Sequence, residues 1–368
     1  MFFFYGTLRH APLLRAVLGR DPGPLEPARL DGHEVRWIAG QNVPMIQPGP
    51  GEAQGLLFEP QPGDAERLDA YELGFAYGTR RHSVSAATGR VEAEIYFPDE
   101  GAFTPGPPFE LQDWVADWGP MAVSAAAEFI GRFAAGEPLD RLEGFFSAMQ
   151  ARGWARELAR AGAPTELRTP GNPIEITRQR EGFDGFFRLR HFDLRHRRFD
   201  GSWTEPFTRE VFAGFDAALV LPYDPAQDTV LLIEQLRLAV ALRGDPHPMT
   251  LEPIAGMIEA GETPETCARR EAVEEAGLDI GALHLIGRVY PSPGYSTEFH
   301  HCYLGIADLT GADKRIGGAE GEHEDIRAHV LPLDAALDLV ASGEVNVAPL
   351  AMMLLWAARH RDRFRSSA

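Results

Sequence analysis

The chain has 368 residues, of which 44% are hydrophobic and 24% are charged. This composition excludes a disordered chain, and the length predicts two domains at roughly 100–200 residues per domain. Asp and Glu total 54 against 35 Lys and Arg, and the net charge of -19 disfavours binding to nucleic acids and anionic membranes. With two cysteines, Cys267 and Cys302, no basic leader and no apolar run of about 20 residues, we expect a cytoplasmic protein without a membrane span.

Short apolar runs between turn residues predict a β-rich α+β unit at the start of the chain. The predicted strands are 2–5, 35–38, 55–58, 82–85 and 91–97. Apolar residues at helical spacing then predict helices over 114–135 and 142–161, which form either a connector or the C-terminal cover of the first domain. Proline and glycine are dense over 163–174, the best linker candidate. We expect a first domain over 1–112, a helical connector and linker over 113–169, and a second domain over 170–368.

The second domain begins with a run of predicted strands. They cover 185–193, 194–199, 207–212, 217–221 and 229–234. The clearest helix covers 263–276, because Thr263 can cap it, Pro264 suits its first turn and Gly277 ends it. A last helix is predicted over 347–363.

Three glutamates stand at helical spacing near the end of the helix predicted over 263–276. Glu271, Glu274 and Glu275 occupy positions i, i+3 and i+4, so their carboxylates project from one side of the helix. Like charges at this spacing repel each other, and a divalent cation would compensate them. Oxygen ligands of this kind select hard ions such as Mg²⁺. The alternative is a solvated acidic helix face with ion pairs to neighbouring arginines.

The full pattern from Gly256 to Leu278 is G-x5-E-x7-R-E-x-x-E-E-x-G followed by an aliphatic residue. It resembles the Nudix box, the signature of hydrolases that cut nucleoside diphosphates linked to another group, with Ala272 where a larger aliphatic residue is usual. The resemblance implies an α/β/α sandwich in which Arg270 and Glu262 hold the loop against the helix. It implies that Mg²⁺ or Mn²⁺ is held by Glu271, Glu274, Glu275 and the backbone carbonyl of Ala255.

Segments outside this box resemble the ADP-ribose pyrophosphatase branch of the same family. They are 208–211, 234–237, 251–253 and 292–298, the last containing Pro293. The resemblance implies hydrolysis of ADP-ribose to AMP and ribose 5-phosphate. It implies substrate contacts at Arg209, Glu210, Arg237 and Glu298. Arginine suits this role because its planar fork meets two phosphate oxygens at once.

The acidic, glycine-containing segment 317–325 suits a loop that closes over a substrate. It resembles the catalytic loop of the same branch, which implies Glu322 as the base for the attacking water and Glu324 as the next candidate. Glu275 belongs to the catalytic set because turnover would depend on its metal.

The resemblance to this branch also implies a dimer in which strands from the N-terminal part of the Nudix unit cross to the partner. We therefore expect a homodimer that covers an apolar two-stranded ribbon over 186–199.

The first domain carries a second, shorter set of motifs. A strand is followed by a turn whose residues are Tyr5, Gly6, Thr7 and Leu8. Glycine in such a turn lets backbone amides approach an anionic group. Together with Glu72 this turn resembles the γ-glutamylcyclotransferase fold, which implies a β-barrel with helices, a γ-glutamyl-type ligand and Glu72 as acid and base. The alternative for Glu72 is an ion pair with Arg80 or Arg81.

The two resemblances together define the expected protein. The fold class is α+β with two domains, an N-terminal γ-glutamylcyclotransferase-like barrel and a C-terminal Nudix sandwich, a pair that resembles bacterial tellurite-resistance-associated proteins. The expected partner is a small nucleoside diphosphate substrate rather than nucleic acid or membrane. Two other functions stay open. One is a nucleotide-sensing Nudix module, and the other is a cyclotransferase or binding activity in the first domain.

Overall fold

A computed structural model describes residues 1–72, 76–160, 162–169, 171, 173–318 and 324–365, apart from the side chain of residue 181. The chain divides into two compact units, Met1–Gly162 and Ala163–Ala368. The helices assigned to a connector lie in the first unit, whereas the boundary between residues 112 and 113 stays a prediction. Within the described ranges, no helix combines the length and the apolar character needed to cross a membrane.

The first unit contains a closed five-stranded barrel. Its strands are β1 (Phe2–Phe4), β2 (Glu26–Ile38), β3 (Pro44–Phe58), β4 (Tyr77–Ala86) and β5 (Gly89–Pro98). They follow the order β3-β1-β5-β4-β2, and β2 pairs again with β3 and closes the ring. A short strand, β6 (Pro105–Pro108), joins β2 outside the ring. Closure leaves few unpaired strand edges, and the predicted barrel is confirmed.

Helices pack on this barrel. They are α1 (Ala11–Leu18), α2 (Asp64–Glu72), α3 (Leu111–Asp117), α4 (Gly119–Ala134), α5 (Leu139–Gly144) and α6 (Phe146–Ala159). Each of the two predicted helices is thus a pair of helices, separated at Trp118 and at Phe145. Glu128 on α4 accepts a 2.6 Å hydrogen bond from Arg152 on α6, and both side chains are buried. This buried ion pair joins the two longest helices of the unit.

The second unit is built on a mixed eight-stranded sheet. Its strands are β10 (Asp216–Asp224), β11 (Thr229–Leu236), β12 (Met249–Glu252), β13 (Ile254–Met257), β14 (Leu283–Val289), β15 (Phe299–Ile306), β16 (Ile316–Gly317) and β17 (Ile326–Pro332). The main order is β14-β15-β10-β11-β17-β16, while β12 pairs with β11 and β13 with β10. Nearly every residue of β10 is buried, as expected for a strand with helices on both faces.

Helices cover the two faces of this sheet. One face packs against α8 (Pro264–Ala276), and the other against α9 (Leu333–Ser342) and α10 (Ala348–Arg365). A five-residue helix, α7 (Leu238–Leu242), follows β11. The predicted α/β/α sandwich is confirmed, as are its helices over 263–276 and 347–363 within one or two residues.

The N-terminal ribbon of the second unit differs from its prediction. The structure has a separate antiparallel sheet of β7 (Ile174–Asp184), β8 (Arg188–His196) and β9 (Phe207–Ala213) in that order. The division into strands over 185–193 and 194–199 is therefore wrong, because β8 is one strand that pairs with β7 on one side and with β9 on the other. The local pattern does not predict β7, because only its first residues alternate apolar and polar side chains before the run Arg178-Gln179-Arg180.

We predict that Gly55→Ala destabilises the first unit by about 1–3 kcal/mol, the usual range for overpacking. A Cβ at Gly55 would lie 2.4 Å from Cζ of Phe3 and 2.5 Å from the carbonyl oxygen of Phe4. The matched control is Gly131→Ala on the exposed side of α4, where a Cβ has nothing within 4 Å. We expect that change to stabilise the helix by up to about 1 kcal/mol. Thermal unfolding of the full chain measures both, and equal melting temperatures for the two variants would contradict the prediction.

Candidate active site

Helix α8 positions the three glutamates of the box. Thr263 caps its start, because the hydroxyl of Thr263 accepts a 3.1 Å hydrogen bond from the backbone N–H of Thr266. Pro264 occupies the first turn, where its missing N–H costs nothing. Gly277 ends the helix in the left-handed conformation, with φ at 60°. These local signals set the register in which Glu275 is buried, Glu271 is partly buried and Glu274 is exposed.

Arg270 connects this helix to the loop before it. Its guanidinium donates hydrogen bonds of 2.8 and 2.9 Å to the two carboxylate oxygens of Glu262 and one of 3.2 Å to the carbonyl of Met257. It also donates to Glu271 at 2.6 Å and to Glu274 at 3.0 Å. Hydrogen bonding to the carboxylate of Glu262 is the main reason that the pKa of Arg270 is raised. One cation therefore compensates three carboxylates.

Two glycines allow strands to approach α8 without side chains between them. A Cβ at Gly256 would lie 1.7 Å from Oε1 of Glu271. A Cβ at Gly317 would lie 1.9 Å from the backbone oxygen of Glu275. The backbone N–H of Ala255 also donates a 3.2 Å hydrogen bond to the carboxylate of Glu275. Strand β13 thus lies against the carboxylates of Glu271 and Glu275, and β16 lies against the backbone of α8 at Glu275.

Glu275 is the most buried of the three glutamates, with 3% of its surface exposed. Burial is the main cause that raises its pKa to about 9, and the charges of Glu271 and Glu324 raise it further. A buried acid beside two other carboxylates needs a positive charge nearby if it is to ionise. Arg237 supplies part of that charge, because its guanidinium lowers the pKa of Glu275.

The chemistry of these donors fits a hard divalent cation. Three carboxylates and the backbone of Ala255 offer only oxygen ligands, which suit Mg²⁺ or Mn²⁺. In the arrangement that the structure describes, no set of three His, Cys, Asp or Glu side chains is close enough to hold a metal. The reason is that Glu271 and Glu274 turn toward Arg270. Arg270 would keep both hydrogen bonds to Glu262 if these two carboxylates turned toward a cation instead.

The structure places Glu324 and Arg237 beside the same carboxylates. The charges of Glu275 and Glu324 both act on the guanidinium of Arg237. Glu322 lies outside the described residues. Gly318 is the last described residue before Glu322, and its N–H donates a 3.4 Å hydrogen bond to the carbonyl of Glu274.

The remaining predicted substrate contacts lie elsewhere. Arg209 and Glu210 are exposed on β9, where Arg209 covers the ring of Phe207 at 4.5 Å. Glu298 precedes β15, and Oε1 of Glu298 lies 2.9 Å from Nε2 of His300. Among the hydrogen bonds and ion pairs of the described chain, none joins Arg209, Glu210 or Glu298 to α8.

Sequence reasoning gave no role to a buried group behind Arg237. Glu252 on β12 is 8% exposed and accepts two hydrogen bonds from Arg237, of 2.8 and 2.6 Å. The segment 251–253 was noticed only as part of a resemblance. Glu252 ends β12 between Leu251 and Pro253, and an acidic residue between apolar neighbours is the signal that could have identified it.

The first unit gathers tyrosines around Glu72. Burial raises the pKa of Glu72 to about 7. The pKa values of Tyr5, Tyr71 and Tyr77 are raised mainly by burial, and the charge of Glu72 raises each of them further. The hydroxyl of Tyr77 donates a 2.8 Å hydrogen bond to the carbonyl of Pro44. Glu72 is therefore an acid in an aromatic, poorly solvated environment.

The predicted loop lies close to this acid. Tyr5 is buried at the end of β1, and Thr7 and Leu8 form the 3-10 turn Thr7–Arg9 that follows Gly6. A Cβ at Gly6 would lie 2.9 Å from Cγ of Pro44, the residue that Tyr77 contacts.

Among the residues that the structure describes, Glu72 forms no ion pair with Arg80 or Arg81. Arg81 donates hydrogen bonds of 3.0 and 2.7 Å to Glu94. Arg80 lies over the ring of Phe97, with its guanidinium carbon 5.2 Å from the ring centroid. Both arginines therefore interact with residues of β5 instead. The charge of Glu72 acts on the neighbouring tyrosines.

Comparison with known protein families matches both units. Residues 215–350 match the NUDIX domain. Residues 2–116 match the family described as gamma-glutamyl cyclotransferase, AIG2-like. Each match falls on one of the two compact units.

Relatives of known function align with the second half of the chain. An ADP-ribose pyrophosphatase of Escherichia coli (strain K12) is 38% identical over 195 residues, which is 53% of this chain and 92% of the relative. An ADP-ribose pyrophosphatase of Haemophilus influenzae is 37% identical over 185 residues, 50% of this chain and 85% of the relative. A GDP-mannose pyrophosphatase of Salmonella arizonae is 34% identical over 171 residues, 46% of this chain and 87% of the relative.

We predict that Glu72 makes stability fall as the pH rises from about 4.5 to about 7. Its folded pKa lies above the unfolded value, so the native state binds more protons than the unfolded state in this interval. The free energy of unfolding therefore decreases with pH, and the loss is complete above the folded pKa. Glu72→Gln should remove this dependence and stabilise the chain by up to about 3 kcal/mol at pH 8.

Denaturant unfolding of the full chain at several pH values measures this effect. Glu66→Gln is the matched control, because it removes an exposed carboxylate from the same helix, α2. A stability difference between Glu72→Gln and wild type that does not grow with pH would contradict the prediction.

Proposed function

Because this chain belongs to the Nudix family, we propose that its second unit hydrolyses the diphosphate of ADP-ribose to AMP and ribose 5-phosphate. The observation that carries the proposal is the convergence of the α8 glutamates with Glu324 and Arg237 in one place. Relatives named ADP-ribose pyrophosphatases support the substrate, since this chain covers 92% of one of them. Related GDP-mannose pyrophosphatases make other nucleotide sugars the nearest competing substrates.

The α8 carboxylates are proposed to hold the metal. Glu271, Glu274, Glu275 and the carbonyl of Ala255 would bind Mg²⁺ or Mn²⁺. A bound divalent ion supplies charge neutralisation for the diphosphate and lowers the pKa of an attacking water. Arg270 acts as support, because its bonds to Glu262 and Met257 keep the loop against the helix.

Two acidic residues are proposed for proton transfer. We assign Glu322 as the base that takes the proton of the attacking water, with Glu324 as the second candidate. The proximity of Glu324 to Glu275 supports this part of the chain as the source of the base. Arg237 would bind diphosphate oxygens, and Arg209, Glu210 and Glu298 would complete substrate recognition.

The first unit supports a second candidate function. An acid with a pKa of about 7 can donate and accept a proton near neutral pH. We therefore propose that Glu72 with the loop Tyr5–Leu8 binds a γ-glutamyl-type ligand and can act on it. Sensing of a nucleotide without hydrolysis is the weaker candidate for the second unit, because all three box glutamates are present.

The setting of the protein is inferred from its domains and cysteines. The pair of domains supports a place among bacterial tellurite-resistance-associated proteins. Cys267 and Cys302 are both buried free thiols, which suits a reducing cytoplasm.

A homodimer is proposed from the three-stranded sheet. Its apolar side chains are unusually exposed, including Ile176 at 58% and Phe183 at 62%. Exposed apolar clusters of this kind mark interaction surfaces. Arg209 and Glu210 lie exposed on the same sheet, so a second subunit would give them a place near a substrate.

We predict that the protein releases AMP from ADP-ribose only when a divalent metal is present. Glu275→Gln should lower kcat more than about a hundredfold, because losing even an outer partner of a metal site commonly costs roughly 10–100-fold. The volume of the side chain is kept, so the fold should be unchanged. Chromatographic detection of AMP with Mg²⁺, with Mn²⁺ and with a chelator measures the reaction.

Glu72→Gln serves as the control for this experiment. It makes the same chemical change in the first unit and should leave AMP release unaltered. No AMP from ADP-ribose with any divalent metal would reject the proposed function. An equal loss of activity in both variants would reject the assignment of this reaction to the second unit.

We also predict a solution mass near twice the 40.5 kDa of one chain. Burial of the apolar face of β7, β8 and β9 drives the association. Light scattering at micromolar concentration measures the mass, and Phe183→Asp on that face should shift it toward the monomer. A wild-type mass of one chain would contradict the dimer.

A further inference from the structure

The carboxylate of Glu252 is held in one orientation by its own hairpin. It accepts a 2.7 Å hydrogen bond from the hydroxyl of Thr250 and one of 3.4 Å from the amide of Gln235. Thr250 and Gln235 are 4% and 5% exposed and stand opposite each other on β12 and β11. Because both donors are buried, the carboxylate has little freedom to turn.

Glu252 binds Arg237 along one edge of the guanidinium. Nε of Arg237 donates to Oε1 at 2.8 Å and Nη2 donates to Oε2 at 2.6 Å. A guanidinium has five N–H groups, and this side-on pairing uses one from each of two nitrogens. Within the described residues, Nη1 of Arg237 donates to no acceptor. The terminal edge formed by Nη1 and Nη2 is therefore available for a second planar or anionic partner.

The pair is buried at one end only. The Glu252 side chain is 11% exposed, whereas that of Arg237 is 43% exposed. Burying an ion pair completely costs the desolvation of both charges. Here the anion is inside and the cation extends to the surface, where the charges of Glu275 and Glu324 act on it.

We propose that Glu252 is a positioning residue, which locks Arg237 so that its terminal edge meets the diphosphate of the substrate. This inference rests on the proposed function and adds to it a residue that does not touch the substrate. A fixed arginine loses less side-chain entropy on binding than a mobile one, so the expected benefit is in substrate affinity. Glu252 also lies three residues before Ala255, so β12 leads directly into β13, which carries the backbone near the carboxylates.

A double-mutant cycle tests the proposal on the full chain. We expect Glu252→Gln to raise KM for ADP-ribose on the order of tenfold, with a change in kcat of less than about threefold. In an Arg237→Ala background, the same substitution should change KM less than about twofold, because its only route to the substrate is gone. A role confined to stability would instead give the same change in both backgrounds, and that result would overturn the proposal.

Two controls make the outcome specific. Glu234 lies on β11, the strand that pairs with β12, but its carboxylate lies 2.9 Å from Nε2 of His329 and not beside Arg237. Glu234→Gln should therefore leave KM unaltered. Melting temperatures of all variants identify any loss of fold, and Glu252→Asp gives a second variant that keeps the charge but shortens its reach. An equal rise in KM for Glu234→Gln would also overturn the proposal.

Calorimetric binding of inorganic pyrophosphate in the presence of Mg²⁺ separates this inference from the proposed function. Pyrophosphate contains the diphosphate but no ribose, so the cycle can be measured on its Kd even if ADP-ribose is not cleaved. Coupling between Glu252 and Arg237 in that Kd without ADP-ribose cleavage would reject the function and retain the inference. If ADP-ribose is cleaved but the effects of the two substitutions on KM and Kd are additive, the proposed function is retained and the inference about Glu252 is rejected.

Discussion

The second unit depends on how one guanidinium balances a group of carboxylates. Arg270 pairs with Glu262, Glu271 and Glu274, and it also holds the carbonyl of Met257. Without this cation, three acidic side chains would repel each other at the junction of a loop and a helix. The position of the loop against α8 follows from satisfying this charge, whereas the caps set the register of the helix and Gly256 admits β13. The box pattern is therefore an electrostatic requirement as well as a catalytic one.

The two units perturb an acid in different ways. In the first unit, burial among tyrosines raises the pKa of Glu72 to about 7. In the second unit, burial and two neighbouring carboxylates raise the pKa of Glu275 to about 9. The first environment favours a neutral acid that exchanges a proton, and the second favours compensation by a cation. The same residue type is thus prepared for two kinds of chemistry within one chain.

The residues proposed for substrate recognition in the second unit stand on two separate sheets. Arg237 leaves the end of β11 and is locked against Glu252 beside the α8 carboxylates. Arg209 and Glu210 stand exposed on the three-stranded sheet with its apolar side chains. Under the proposed function, Arg237 would be a rigid anchor for the diphosphate. The three-stranded sheet would offer a more open surface for the rest of the substrate, and such a division suits selective binding.

Local patterns along the chain determined a large part of this protein. The cap at Thr263, the stop at Gly277 and the spacing of the glutamates predicted α8 and the side on which its carboxylates project, because these features depend on residues within a few positions of each other. Strand β7 was missed, and β8 was divided wrongly, because Arg178 and Arg180 interrupt the apolar alternation and pairing partners decide such strands. Only the tertiary structure decided that Gly256 and Gly317 admit β13 and β16 to α8, that Glu72 is enclosed by tyrosines, and that Glu252 holds Arg237. Each of these is a contact between segments far apart in sequence, and its energy comes from burial and geometry that no local spacing encodes.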